Sequence, residues 1–501
     1  MLFLNNILLL KDKIGDEIMA ILDGFYNVAM SISDLLWSKV LIILLIGIGL
    51  FFTIKTGFVQ FKYFKEQFKL LIDKESMKDA KSKGAISSFG AFCISTASRV
   101  GTGNIAGIAI AIVGGGPGAI LWMWLIAIIG SASAFVEATL AQIFKVPNGT
   151  ASKGGPAYYM EQGLNARWLG IIFAILITVT YGFVFNAVQA NTMSIALNSS
   201  FGINRTIFGI VIAVLTALVI FGGIQRISKV SEIIVPIFAL LYIIVAIVIM
   251  LINIPEIPSI IKAIFVGAFD PKEFVAGTGA GLMTTILTGA KRGLFSNEAG
   301  MGSAPNASAT ADVTHPVVQG LIQSLGVFTD TIVICTCTAF MVLLFSGYGS
   351  SANEGILLAQ EALTFHLGPI GGIFLSVCIF LFAFSSIVGN YYYGESNIQF
   401  MCGENKKKEK IILNVTRALV CVFVFYGSLV KMETVWNFAD LFMALMALLN
   451  LVVIVILGKY AYAALNDYSA QKKQGIAKPK FYKNTIPELK DVLKMWPEEK
   501  Q

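Results

Sequence analysis

Ser95-Thr-Ala-Ser-Arg-Val-Gly-Thr-Gly-Asn-Ile-Ala-Gly107 lies in the middle of a stretch, 86–113, that is otherwise apolar enough to cross a bilayer. It places three glycines, an arginine and an asparagine where a membrane helix wants Leu and Ile. Glycine weakens a helix by about 1 kcal/mol relative to alanine. Backbone groups freed at membrane depth persist only where they are packed in protein or line a cavity. A second run has the same defect: Arg292-Gly-Leu-Phe-Ser-Asn-Glu-Ala-Gly-Met-Gly-Ser-Ala-Pro305. Both runs read as helices broken near their centres. The alternative for Gly101, Gly103 and Gly107 is close helix packing, because small residues recur where membrane helices touch. Gly101-Thr-Gly103 also resembles a dinucleotide loop, but no strand precedes it.

The rest of the chain supports a membrane setting. Of 501 residues, 56% are hydrophobic and only 13% are charged, whereas soluble domains carry about 25% charged residues. A span needs about 20 apolar residues, and eleven spans are expected: 39–54, 86–113, 117–144, 168–197, 206–224, 230–252, 284–313, 317–346, 369–400, 411–430 and 434–458. Residues 1–38 are expected to hold an interfacial amphipathic helix (Ile14–Trp37), residues 39–458 the transmembrane domain, and residues 459–501 a cytoplasmic tail. The run Met1–Leu10 lacks the basic start and small-residue site of a cleaved signal peptide. Asn253–Gly281 reads as an external loop with short helices.

Lysine placement orients the spans. Clusters follow the first span (Lys55 to Lys83), precede the tenth (Lys406, Lys407, Lys408, Lys410) and fill the tail, while Ser346–Gly368 has neither Lys nor Arg. Basic loops stay cytoplasmic. An odd number of spans puts all three clusters on one side, with the N-terminus outside and the C-terminus inside an inner (cell) membrane. The net charge of +7 therefore reflects loops, not nucleic acid. Six scattered cysteines without a CxxC pair read as buried small hydrophobes. Two histidines, and no HExxH, GxSxG or phosphate loop, argue against an enzyme. A channel is disfavoured because no filter motif repeats.

Two broken spans five helices apart point to an inverted-repeat secondary transporter, in which freed N–H groups meet a substrate carboxylate and freed carbonyls meet a cation. Intramembrane charges are functional candidates. Asp330, between Thr329 and Thr331, reads either as a second cation site with Asn104 or as a hydrogen-bond hub. Arg99, Glu137 and Glu298 are expected to pair within the bundle. Asn186, Gln189 and Asn191 offer amides to a substrate or to neighbouring helices.

Gly101–Gly107, Gly114-Gly-Gly-Pro-Gly-Ala119, Gly293–Pro305 and Tyr391-Tyr-Tyr-Gly-Glu395 resemble the signatures of the alanine or glycine:cation symporter family over about residues 40–460. The resemblance implies an all-α membrane protein of the leucine-transporter fold. It has one extra helix followed by five-plus-five inverted repeats, here about 86–252 and 284–458. It also implies symport of a small neutral amino acid with Na⁺ as co-transported ion, no organic cofactor, and action as a monomer in the bilayer. A channel or a proton-coupled carrier of the same fold is the alternative.

Backbone at Thr102, Gly103 and Asn104 would hold the carboxylate, with Gln189, Gly300, Gly302, Ser386 and Asn390 completing the substrate set. Sodium would take Ala97, Val100, Phe382, Ser385 and Ser386, since a hard cation wants oxygen ligands. The alternative for the serine pair is bonding to the helix's own carbonyls. Members of the family often carry Trp where this chain has Asn390; if that position lines the pocket, the departure favours a longer polar substrate such as glutamine, and the alternative is that Asn390 faces a neighbouring helix and only hydrogen-bonds there. The orientation is testable: in Ser350→Cys and Lys473→Cys, thiol labelling is expected from opposite sides, and labelling of both from outside removes the eleven-span arrangement.

Overall fold

The computed structural model describes residues 23–269 and 281–498, apart from the side chain of Gln225. Helix α1 runs without interruption over Asp23–Lys55. The expected boundary at residue 38 is therefore no break in the backbone: Trp37 and Leu41 are buried on a continuing helix. Residues 1–22, including the start of the Ile14–Trp37 helix, lie outside the described residues.

The next spans are α2 (Ser88–Arg99) with α3 (Gly103–Gly115), α4 (Ala119–Ile143), α5 (Arg167–Phe201), α6 (Arg205–Ile220) and α7 (Gly223–Ile252). Then come α8 (Leu282–Asn297) with the short α9 (Ala304–Ser308), followed by α10 (Pro316–Leu343). The short helix α11 (Ile356–Leu367) leads to α12 (Pro369–Cys402), α13 (Lys406–Gly427) and α14 (Met432–Lys473). Among the described residues, eight helices are long and apolar enough to cross a membrane, and the bent pair α2–α3 makes nine. The remaining two expected spans fall on α6, which has 16 residues, and on the interrupted α8–α9. Each sequence span thus meets a helical element. One differs in extent: α14 continues far beyond Leu457. The 253–281 region holds short helices, as expected of it, at Ile254–Glu256 and Ile257–Gly267, with 270–280 outside the described residues.

Burial sorts the helices into layers. Only 22% of the apolar window of α7 is buried, against 72% for α4 and for α10. The broken pair sits innermost, with α2 packed on α7, α10 and α12. Gly118 shows how tightly one end closes: a Cβ there would lie 2.1 Å from the Gly267 carbonyl carbon. The adjacent Trp122 indole donates to Ala268 O at 3.1 Å. At the opposite end, Asp312 N–H donates to Ile86 O at 2.9 Å. A parallel bridge between Ile86 and Ala311 thus ties the start of α2 to the chain leaving α9.

A small antiparallel hairpin, β1 (Val146–Asn148) and β2 (Ala151–Lys153), follows α4. Beyond α14 the tail folds back onto this end. Phe481 N–H donates to Thr314 O at 3.0 Å. The Trp496 indole donates to Gln142 O and Ile143 O, each at 3.2 Å, capping carbonyls that the end of α4 leaves unpaired. Lys145 Nζ stands 4.9 Å from the Trp496 ring centroid. Truncating a buried tryptophan costs about 3–5 kcal/mol, more than a terminal segment's docking tolerates. Trp496→Ala is therefore expected to expose residues beyond Lys473 to protease while the membrane helices stay resistant; an unchanged digest would mean the tail is held without it.

Candidate functional site

The two halves of the second span, α2 and α3, meet at 51°. α2 ends because Val100 takes an extended conformation, with ψ 97°. In a continuous helix, Ala97 O would accept from Gly101 N–H. Here Gly101 N–H donates instead to Asn104 Oδ1 at 2.9 Å, which frees the Ala97 carbonyl. The next donor is also diverted: Thr102 N–H and Thr102 Oγ1 both donate to Gln189 Oε1, at 3.0 and 2.7 Å. An amide oxygen from α5 therefore occupies the donors that a carboxylate would use. Gly101 must lack a side chain, because a Cβ would lie 2.3 Å from Ser386 Oγ and 2.8 Å from Gln189 Oε1.

Two oxygen clusters flank this break. On one side Ser386 Oγ lies 3.3 Å from Val100 O and 3.0 Å from Phe382 O, and Ser385 Oγ donates to Phe382 O at 2.8 Å. One hydroxyl proton bridges carbonyls from two helices, a place that a cation fits. The back-bonding to Phe382 is present, and so is the cross-helix contact that it alone does not explain. On the other side, Asp330 Oδ1 accepts from Asn104 Nδ2 at 2.7 Å. Asp330 Oδ2 accepts from Ser296 Oγ, and from Thr331 Oγ1 at 3.0 Å. Cys335 Sγ is 3.0 Å from Ser296 Oγ and 3.3 Å from Asn104 Nδ2, so this cysteine belongs to a polar cluster rather than to the apolar filling expected of it. Asp330 thereby joins both broken spans to α10.

The second break has a different occupant. Glu298 is left-handed at φ 58°, and Gly300 and Gly302 both have φ 82°. Their N–H groups donate to Glu137, at 3.1 Å to each of its oxygens, and Asn450 Nδ2 adds a third bond at 2.8 Å. Gly300 and Gly302 are thus engaged by an internal carboxylate on α4, away from the Gln189 cluster. The expected pairing of Arg99 with Glu137 or Glu298 is not made: all three guanidinium nitrogens lack a partner among the described residues. Glu298 bonds to Ser98 at 2.8 Å and Ser303 at 2.6 Å.

Asn390 accepts from Ser98 Oγ at 2.6 Å and donates to Asn186 Oδ1 at 3.0 Å, bridging α2, α12 and α5. Asn191 donates to Gly427 O and Val430 O, a bond between helices. Gly103 faces a ring, since a Cβ there would lie 2.7 Å from Phe295 Cδ1. Phe295 packs against Phe185 and Trp436, each with centroids 4.7 Å apart. Arg292 sits 4.6 Å over Trp436 and donates to Asp440 Oδ1 at 2.7 Å. Phe295, Trp436 and Asp440 were not marked in the sequence. Thr102, Asn104, Gln189, Asp330, Ser386 and Asn390 are each at most 2% exposed, so the site is sealed.

Residues 22–483 match the model of the sodium:alanine symporter family. The chain belongs to that family. It is 51% identical to the amino-acid carrier protein AlsT of Bacillus subtilis, over 96% of this chain and all of that one. It is 49% identical to a Bacillus subtilis protein described as a probable sodium/glutamine symporter, GlnT, over 93% of this chain and 95% of that one. The crystal structure of MhsT in complex with L-phenylalanine superposes with a TM-score of 0.51 at 15% identity, covering 80% of this chain and 91% of that one. The fold is therefore of the leucine-transporter type, and the chain is a multi-pass amino-acid symporter of the membrane rather than an enzyme.

For a sodium:alanine symporter family member with this geometry, the break and the serine pair form one unit. Losing one ligand in a site of low dielectric costs about 1–3 kcal/mol. Ser386→Ala removes the hydroxyl, and Gly101→Ala drives a methyl against it. Both are expected to insert normally and to raise the sodium concentration for half-maximal uptake about tenfold. An unchanged requirement in both variants would place the ion elsewhere.

Proposed function

We propose that this symporter couples Na⁺ to the import of a small neutral amino acid, glutamine among its substrates, by alternating access. The observation that carries the reading is the double use of the break at Arg99–Gly103. Its freed Thr102 donors hold a surrogate oxygen from Gln189, and its Val100 carbonyl meets the Ser386 hydroxyl. A substrate carboxylate displaces Gln189 Oε1 from Thr102. Sodium displaces the Ser386 proton from between Val100 O and Phe382 O, with Ala97 O and Ser385 completing the oxygen shell. Asp330 with Asn104, Ser296 and Thr331 forms a second cation site. Substrate and ion then reshape the same few residues, which is the physical basis of coupling. The Arg292–Asp440 pair and the Phe185–Phe295–Trp436 stack close the outer side. The N-terminus lies outside, the tail is cytoplasmic, and one chain is the functional unit.

Side-chain selectivity rests on the amide wall of Asn186 and Asn390. A wall that hydrogen-bonds a carboxamide discriminates better than an apolar one, which distinguishes a methylene weakly. The relative described as a glutamine symporter supports the same preference. Reconstituted protein should accumulate amino acid only with an inward sodium gradient, with glutamine competing against labelled alanine at least as well as unlabelled alanine. Asn390→Trp should weaken glutamine about tenfold, the scale of one lost hydrogen bond, and spare alanine. Uptake without sodium defeats the coupling, and a wild type indifferent to glutamine leaves alanine as the substrate.

A further inference from the structure

Arg99 is 2% exposed, and none of its three guanidinium nitrogens has a hydrogen-bond partner among the described residues. A buried guanidinium without a partner is costly, so its retention in the innermost helix asks for a role. Its seat is defined. A Cβ at Gly326 would lie 2.3 Å from Arg99 Nη1 and 3.6 Å from Phe92 Cε2. The guanidinium therefore points Nη1 end-on at α10 where that helix has no side chain. Gly326 is four residues before Asp330, one turn or about 6 Å along the helix.

The surroundings leave the guanidinium loose. Gln319, Gln323, Gly326 and Asp330 follow one another at helical spacing on a single face of α10. Gln319 Nε2, Gln323 Oε1 and, from α2, Thr96 Oγ1 also lack partners. Their side chains are 4% exposed or less. Glu137 is held by Gly300, Gly302 and Asn450, and Glu298 by Ser98 and Ser303. Asp330 also faces only neutral donors, Asn104, Ser296 and Thr331, and of the three carboxylates it is the one on α10, a turn from the Gly326 seat.

We propose that Arg99 is a tethered stand-in for the transported cation. When sodium leaves Asp330, the guanidinium moves up one turn from Gly326 and neutralises the carboxylate. The emptied carrier then returns without an unpaired buried charge; incoming sodium drives the guanidinium back to its glycine seat. Ion and guanidinium compete for one carboxylate, so the empty carrier crosses in the neutral, guanidinium-paired form and the loaded one in the sodium form. The inference rests on Asp330 binding a transported cation.

The test separates net uptake, which needs the empty carrier to return, from exchange, which does not. In proteoliposomes, Arg99→Gln should lose net sodium-driven uptake at least about tenfold while exchange at saturating sodium on both sides stays within about twofold. Without the internal competitor, sodium should protect the substrate-free, detergent-purified variant against thermal unfolding at a concentration several-fold lower than in wild type. Parallel loss of uptake and exchange, unchanged net uptake, or an unchanged sodium concentration for protection overturns the proposal. If Arg99→Gln does not reach the membrane, Arg99→Lys serves. It keeps the charge and should keep net uptake; exchange without net uptake in that variant also overturns the idea. Asp330→Asn separates the two claims. Sodium dependence intact in that variant removes the cation site itself. Sodium dependence lost there, with net uptake intact in Arg99→Gln, removes only the stand-in.

Discussion

The structure turns on a backbone that is broken where lipid permits no break. At Arg99–Gly103 the chain gives up helical hydrogen bonds at the centre of the molecule, and each freed group must find a partner in protein. Gly101 N–H takes Asn104, Thr102 N–H takes Gln189, and Val100 O takes Ser386. These partners come from α3, α5 and α12. The break is thus not a local irregularity but the point where three elements are joined. Gly101 has to be glycine because two of those partners stand where its side chain would be.

The second break meets the same demand with a charge. Glu137 satisfies Gly300 and Gly302, and Asn450 supports it from α14. Asp330 then ties the two breaks together through Asn104 and Ser296. The result is a sealed interior with three carboxylates and one guanidinium, Arg99, among them. Such a cluster holds more carboxylates than cationic side chains, an imbalance that a bound cation offsets. Beside it, Phe295 packs on Phe185 and Trp436, and Arg292 pairs with Asp440.

The spans were legible because lipid imposes a simple rule on composition, and the two broken ones because they violate it. Their ends were less legible. α14 continues past Leu457 to Lys473 through polar and charged residues such as Lys459, which a helix accepts but hydropathy does not mark. The Gln189 and Asn390 amides stood out as polar groups in apolar runs, but their partners did not. Arg292 and Asp440 are 148 residues apart, and Ser98 and Asn390 are 292 apart; periodicity is silent on such pairs. The serine pair acquired its cation role from family resemblance, and the structure adds the Val100 contact. At Gly300 and Gly302 a free N–H pair looks alike in sequence whether a ligand or an internal glutamate answers it, and here Glu137 accepts from both.

The central claim is that substrate and sodium act on one broken helix and are therefore thermodynamically linked. Linkage requires that each raise the affinity of the other by the same factor. Equilibrium binding of labelled sodium to the purified protein, measured with and without glutamine or alanine, tests this directly. The account predicts that substrate tightens sodium binding and that sodium tightens substrate binding to an equal degree, with both effects lost in Ser386→Ala. Sodium and amino acid that bind independently of one another in the wild-type protein would contradict it.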